Sequence, residues 1–170
     1  MHTTDQTVPT NSKSSTSGRH PSRTAPSESL VSRVVILVAR KSYDEAANLL
    51  RTAPRSHWSA NTLGVCLLRS GRVDEALRVY RSLVLNPGTT TIRHDVDDLA
   101  RINFATALMM KGMPSGALEV LSELRSLEML PAVRLRAAII QWSKTLSWWR
   151  RLEWKLNRID PPHARVPIDF

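Results

Sequence analysis

The stretch His57–Pro87, HWSANTLGVCLLRSGRVDEALRVYRSLVLNP, decides the fold of this chain. Apolar residues recur in it at three- and four-residue spacing on both sides of Gly71, a pattern typical of two amphipathic helices. Gly71 can adopt the left-handed conformation that ends one helix before the next begins. Gly64 and Ala76 have almost no side chain, so the two helices can approach closely where they cross. The stretch therefore predicts a helical hairpin.

This hairpin resembles the tetratricopeptide repeat, a family of 34-residue helix–turn–helix units that stack into a superhelix. When Ala76 is set at the twentieth position of the family pattern, four other residues match the types that the family favours: Gly64, Leu67, Gly71 and Tyr80. The pattern fits a second time around Ala117 and a third time around Ala46. The resemblance implies an all-α superhelix of about three repeats, covering residues 28–56, 57–88 and 98–131.

The spacing of the three copies departs from the family pattern and predicts local structure. Ala46 and Ala76 are 30 residues apart, which predicts a shortened second helix that ends near Pro54. Ala76 and Ala117 are 41 residues apart. The surplus fits in the loop 88–98, since insertions in repeat proteins fall in the connections.

Single residues in the copies carry further predictions. Lys41 stands where the first copy should have its turn glycine, and Arg101 stands where the third should have an aromatic residue. Ser42 and Glu45 form the S-x-x-E pattern of a capping box, which predicts that a helix begins there.

The two ends of the chain have compositions of their own. Residues 1–27 consist largely of Ser, Thr and Pro and should be disordered. Residues 132–158 carry one apolar stripe at helical spacing, which predicts a long helix that caps the last repeat. The stripe consists of Leu135, Ala138, Ile139, Trp142, Leu146, Trp149, Leu152 and Leu156. Residues 159–170 are rich in proline and should be extended.

The composition limits the class of protein and its partners. A chain of 170 residues with 42% hydrophobic residues suits one domain with its own core. A net charge of +9 attracts nucleic acid, anionic membranes or acidic protein segments, although a bias towards Arg codons would give the same surplus. No apolar run approaches the roughly 20 residues of a membrane span, and a single cysteine, Cys66, cannot form an internal disulfide. These features favour a cytoplasmic protein.

No catalytic or metal-binding motif can be assembled from the sequence. The five histidines are scattered, and none has a carboxylate and a nucleophile at motif spacing. There is neither a glycine-rich phosphate loop nor a Cys/His cluster. His94, Asp95, Asp97 and Asp98 suggest metal ligands, but acidic residues just before a helix more often stabilise its positive end. We therefore expect a protein that is not an enzyme and that uses no cofactor, metal or small-molecule substrate.

The resemblance also implies a binding surface, because the first helix of each repeat in this family lines a concave groove for a peptide or helix of a partner protein. The corresponding residues here are Asn61, Val65, Leu68 and Arg69 of the second copy and Ile102, Asn103, Thr106, Met109 and Met110 of the third. Val31 and Val35 occupy two positions of the clamp that chaperone-binding members use, so that clamp is absent. Two alternatives remain: these residues are core between repeats, or the chain's own segment 166–170 fills the groove.

A second candidate surface lies in the predicted C-terminal helix, where tryptophans stand beside basic residues. Its members are Trp148, Arg151, Trp154, Lys155 and Arg158. This combination suits an anionic membrane surface, a nucleic-acid backbone or a protein hot spot. The sequence thus leaves two functions: a protein-interaction groove, or an anchoring or nucleic-acid-binding module that acts through this helix. The plainer interpretation is a helix buried on two sides with a solvated basic face.

Overall fold

The computed structural model describes residues 27–162 and 164–167. These residues form eight α-helices and no β-strand, with 68% of them helical. The helices are α1 (Glu28–Ala39), α2 (Tyr43–Thr52), α3 (His57–Arg69), α4 (Val73–Val84), α5 (Asp98–Met110), α6 (Pro114–Ser122), α7 (Leu130–Thr145) and α8 (Trp148–Asn157). Each helix from α1 to α6 packs on the next along the chain. The predicted all-α class is confirmed, whereas the disorder predicted for residues 1–27 falls outside the described residues except for Ser27.

The hairpins α1–α2, α3–α4 and α5–α6 close with the same turn. A residue in the left-handed conformation follows the first helix of each pair: Lys41 (φ 59°), Gly71 (φ 75°) and Gly112 (φ 83°). In each turn, the N–H of this residue and of the residue after it donate to carbonyls three and five residues back. These bonds satisfy the last carbonyls of the first helix. Lysine adopts this conformation at a cost of about 1–2 kcal/mol, so the first hairpin keeps the turn without a glycine.

Small residues are fully buried within the paired helices. Ala46, Ala76, Ala105 and Ala117 are each 0% exposed. Gly64 of α3 faces the ring of Tyr80 in α4, and a Cβ placed on this glycine would lie 2.6 Å from Cε2 of that ring. The close approach predicted for α3 and α4 is therefore confirmed, because no side chain fits between them at this point.

The connection between α4 and α5 folds onto the core. Leu85 and Ile92 form an isolated antiparallel bridge, and Ile92 and Val96 are only 4% and 1% exposed. Asp97 caps α5, since its carboxylate accepts a hydrogen bond of 2.8 Å from the N–H of Ala100. The helix-starting role of the acidic residues is thus confirmed for Asp97.

The capping box predicted at Ser42 and Glu45 is wrong. The Ser42 side chain makes no capping hydrogen bond to α2, and the residue serves the preceding turn through its N–H. A capping box forms instead at the start of α3, where Ser56 and Ser59 each accept a hydrogen bond from the other's N–H.

Arg101 holds three segments together. Its guanidinium is 4% exposed and donates hydrogen bonds to the carbonyls of Glu123 (2.8 Å) and Arg93 (3.0 Å). It also lies 3.5 Å from the carboxylate of Asp98, which accepts a hydrogen bond from the N–H of Ser126. Arg101 departs from the family pattern, which has an aromatic residue at this position. Its side chain joins α5 to the connections that precede and follow the α5–α6 hairpin.

The single helix predicted for residues 132–158 is wrong, because the chain is extended at Leu146 (ψ 146°) and Ser147 (ψ 152°). Arg151 stabilises this break by donating a hydrogen bond of 2.9 Å to the carbonyl of Ser143 in the last turn of α7. After the break, Trp154 instead of Trp149 faces the core. Its ring lies 5.5 Å from that of Trp142 at an interplanar angle of 87°.

The segment after α8 returns to the α5–α6 turn. The N–H of Ala164 donates a hydrogen bond of 3.1 Å to the carbonyl of Pro161, so a turn interrupts the extended conformation predicted for this segment. Ala164 and Val166 are each 7% exposed. Gly112 leaves room for this segment, since a Cβ there would lie 2.6 Å from the carbonyl oxygen of Ala164. Asp160 accepts hydrogen bonds of 3.0 Å from the N–H of Ser115 and from the indole of Trp154. Among the described helices, none has both the length and the apolar character needed to cross a bilayer.

Candidate functional site

A cavity of about 680 Å³ lies between α3, α5 and α7. Its lining consists of Val65, Leu68 and Arg69 from α3, Ile102, Asn103 and Thr106 from α5, Leu130, Pro131, Arg134, Leu135 and Ala138 from α7, and Pro167 from the final segment. The volume lies within the range of ligand-binding clefts in proteins. Its apolar surface is interrupted by a few polar groups, so it resembles a binding site more than a packing defect.

The α3 and α5 sides of this cavity carry most of the residues that the sequence places in a groove. Val65 and Arg69 lie on α3, and Asn103 and Thr106 lie on α5. Asn61 lies next to them, since its side-chain oxygen accepts a hydrogen bond of 3.0 Å from the amide of Asn103. Leu68 and Ile102 line the cavity as well, so the structure brings seven of the nine predicted groove residues together.

The two methionines predicted for the groove do not line the cavity. Met109 is 1% exposed and lies in the core, and Met110 is half-buried beside it. The reason is that α5 packs against α3, α4, α6 and α7, so nearly its whole circumference is covered. The placement of Met109 in an accessible groove is therefore wrong.

The α7 side of the cavity was not expected from the sequence. Leu130, Arg134 and Ala138 follow one another at four-residue spacing and line the cavity together with Leu135, whereas Ile139 is fully buried in the core. The four-residue spacing places these residues on one face of a helix and could have indicated a lining role. The sequence predicts only that this helix caps the last repeat. The cavity lies where α3 and α7 both pack against α5.

The final segment forms the remaining edge of the cavity. Val166 is buried, and Pro167 contributes to the lining. The proposal that residues 166–170 fill the groove is thus tested only at its first two positions, because residues 168–170 lie outside the described residues. Non-helical chain nevertheless lies at the edge of this cavity.

The electrostatic character of the cavity comes from two guanidinium groups. Arg69 and Arg134 are the charged residues of the lining. The hydroxyl of Thr106 is bonded to the carbonyl of Ile102 in its own helix, so it adds little polarity. Positive charge beside apolar side chains favours a ligand that combines apolar groups with a carboxylate.

Groups with shifted pKa values lie away from this cavity. Burial raises the pKa of the Cys66 thiol, which is 1% exposed, and burial likewise raises the pKa of Tyr80. A hydrogen bond from Arg93 lowers the pKa of Asp95 at the surface. In the part of the chain that the structure describes, no group of three or more His, Cys, Asp or Glu residues could hold a metal ion. The causes of these shifts are burial in the core and an ion pair at the surface.

The five residues of the second candidate surface do not share one face. Trp148 is 72% exposed, and Lys155 and Arg158 are exposed as well. Trp154, in contrast, is 5% exposed, and Arg151 binds carbonyls at the end of α7. The assignment of Trp154 to an accessible surface is therefore wrong, because this side chain faces α7, whereas Arg151 is half-buried against the end of α7.

Comparisons of this chain with protein-family models, with curated proteins and with solved structures found no match.

Proposed function

We propose that this chain is a non-catalytic protein-interaction module of the tetratricopeptide-repeat type that holds a segment of a partner protein in the cavity between α3, α5 and α7. The observation that carries the proposal is the cavity itself, since it is lined by the α3 and α5 residues that the repeat pattern assigns to the groove. The occupant that fits best is a peptide with apolar side chains and an acidic residue.

Three features support a superhelical repeat as the scaffold of this site. The turns at Lys41, Gly71 and Gly112 have the same hydrogen bonds. Fully buried small residues occupy matching positions of the repeat pattern, as Ala76 and Ala117 do. In addition, α3 contacts α5 directly, which is the contact between first helices of successive units that a stacked repeat requires.

Two features of the cavity favour a peptide as its ligand. A non-helical part of the chain already lies at its edge, at Pro167. An extended peptide can place alternate side chains on the apolar wall formed by Val65 and Leu130. Its carboxylate can reach Arg134, which is exposed at the cavity wall.

The lining of the cavity suits the binding of an anionic group. The charged side chains of the lining are Arg69 and Arg134, and Arg134 is exposed. A guanidinium can bind an anionic group of a ligand through paired hydrogen bonds.

Peptide selection on the immobilised full chain tests the proposal. We expect selected sequences to combine apolar residues with Asp or Glu. The variant Leu130→Glu should lower the affinity for a selected peptide at least tenfold. A carboxylate on the cavity wall repels the acidic residue of the peptide and replaces an apolar contact with its apolar residues. Leu130 is 60% exposed, so the fold should tolerate the change. The affinity is measured by fluorescence anisotropy.

The matched control is Val133→Glu on the same helix. Val133 is 46% exposed and does not line the cavity, so this variant should bind the peptide as the wild type does. If no peptide is selected, or if Leu130→Glu binds as well as Val133→Glu, the cavity is not the binding site.

A further inference from the structure

The chain that follows α8 is fixed by successive contacts that lead to the cavity. Asp160 accepts a hydrogen bond of 3.0 Å from the N–H of Ser115 at the start of α6. Ala164 passes the α5–α6 turn so closely that a Cβ on Gly112 would lie 2.6 Å from its carbonyl oxygen. Pro167 then belongs to the cavity lining. The chain therefore runs from the start of α6, past the turn, to the edge of the cavity.

Three residues follow Pro167 in this sequence, Ile168, Asp169 and Phe170, and they lie outside the described residues. A chain advances by at most about 3.6 Å per residue, so these residues can reach no farther than about 11 Å from Pro167. The cavity measures about 680 Å³ and lies within this distance, because Pro167 is part of its lining. The segment 168–170 is therefore tethered next to the cavity.

This segment has the chemistry that the cavity favours. Ile168 and Phe170 are apolar and are separated by one residue, so an extended backbone can place both on one side. Asp169 between them is acidic, whereas the charged residues of the lining, Arg69 and Arg134, are basic. The segment thus combines apolar side chains with a carboxylate, as the peptide expected in the cavity does.

We propose that the segment 168–170 occupies the cavity and competes there with the partner peptide, an inference that rests on the proposed function because both concern the same site. Ile168 and Phe170 pack on the apolar wall at Val65 and Leu130, and the carboxylate of Asp169 meets the guanidinium of Arg134. The partner has to displace this segment before it can bind. The cavity is therefore regulated by the chain's own residues.

Tethering makes even a weak contact of this segment effective. A short linker gives an effective concentration of about 1 mM, so a segment with a Kd of about 0.1 mM would lower the affinity for a competing peptide about tenfold. The apparent affinity falls because only the fraction of molecules with an empty cavity can bind the partner. A variant without the contact should regain this factor.

The full chain with Ile168→Ser combined with Phe170→Ser tests the proposal in two measurements. Without peptide, hydrogen exchange followed by mass spectrometry should be faster than in the wild type in residues 61–69, 102–106 and 130–138, which contain the lining helices. In fluorescence anisotropy, the variant should bind a selected peptide about tenfold more tightly. Asp169→Lys should bind an uncharged version of this peptide about fivefold more tightly than the wild type does, since the segment loses its ion pair.

The matched control is Ile159→Ser. Ile159 is 57% exposed, belongs to the same final part of the chain and does not line the cavity, so exchange and peptide affinity should equal those of the wild type. Exchange or affinity that is equal in the 168/170 variant and in the control would overturn the proposal. A dimer in sedimentation velocity that the variant loses would also overturn it, because the segment would then enter a second copy.

The two measurements separate this proposal from the proposed function. Faster exchange in the 168/170 variant, without peptide binding by either protein, would refute the partner peptide and retain the segment in the cavity. Equal exchange, with peptide bound equally well by variant and wild type, would refute the segment and retain the partner peptide.

Discussion

Gly64→Leu should unfold the chain or lower its free energy of unfolding by about 3 kcal/mol or more. A Cβ on Gly64 would lie 2.6 Å from Cε2 and 2.7 Å from the hydroxyl of Tyr80. The Tyr80 ring is 0% exposed and its hydroxyl donates to the carbonyl of Asn61, so it cannot move aside without opening the core. Overpacking against a fixed ring is strongly destabilising. Thermal unfolding followed by circular dichroism should show a loss of about 10 °C or no cooperative transition.

Gly116→Ala is the control for this prediction. Gly116 lies within α6, and a Cβ there would make only ordinary contact, at 3.7 Å, with Leu108. Because alanine is the better helix former by up to about 1 kcal/mol, this variant should be neutral or slightly more stable. A Gly64→Leu protein as stable as the wild type would show that α3 and α4 do not cross at this glycine.

Arg101→Ala should lower the free energy of unfolding by about 3–5 kcal/mol, the range measured when one partner of a buried ion pair is removed. The variant loses hydrogen bonds to the carbonyls of Glu123 and Arg93. It also leaves Asp98, whose side chain is 11% exposed, without its cationic neighbour. The loss is measured by urea unfolding.

Arg93→Ala separates this effect from the general loss of an arginine. The ion pair of Arg93 with Asp95 is more open to solvent, with side chains 31% and 57% exposed, and such pairs contribute less than about 1 kcal/mol. The double variant Arg101→Met and Asp98→Asn should recover part of the stability, because it removes both buried charges. Equal losses for Arg101→Ala and Arg93→Ala would contradict a joining role for Arg101.

The helical hairpins could be predicted because their signals are local. Gly71 ends a helix through its own backbone conformation, and Ala76 allows close approach wherever a helix crosses it. The break between α7 and α8 could not be predicted in this way. Leu152 and Leu156 continue the apolar spacing of α7 past the break, and the break is stabilised by the contact of Arg151 with Ser143. A stripe in the sequence does not reveal such a contact.

The candidate site was predictable in part for the same reason. Val65 and Asn103 take their places from the spacing within α3 and α5. Arg134 and Pro167 line the cavity only because α7 and the final segment fold back towards these helices. Met109 was misplaced because the family pattern assumes an open face on α5, whereas four helices cover it. Tertiary packing thus decides which residues of a predicted helix remain accessible.

Hydrogen exchange of the full chain, measured by mass spectrometry with and without a selected peptide, tests most directly whether the paired helices leave a groove for a partner. Saturating peptide should slow exchange in residues 61–69, 102–106 and 130–138, where the cavity lining lies. Exchange in α8 should remain unchanged. Protection confined to α1, α2 or α8, with unchanged exchange in α3, α5 and α7, would contradict the groove.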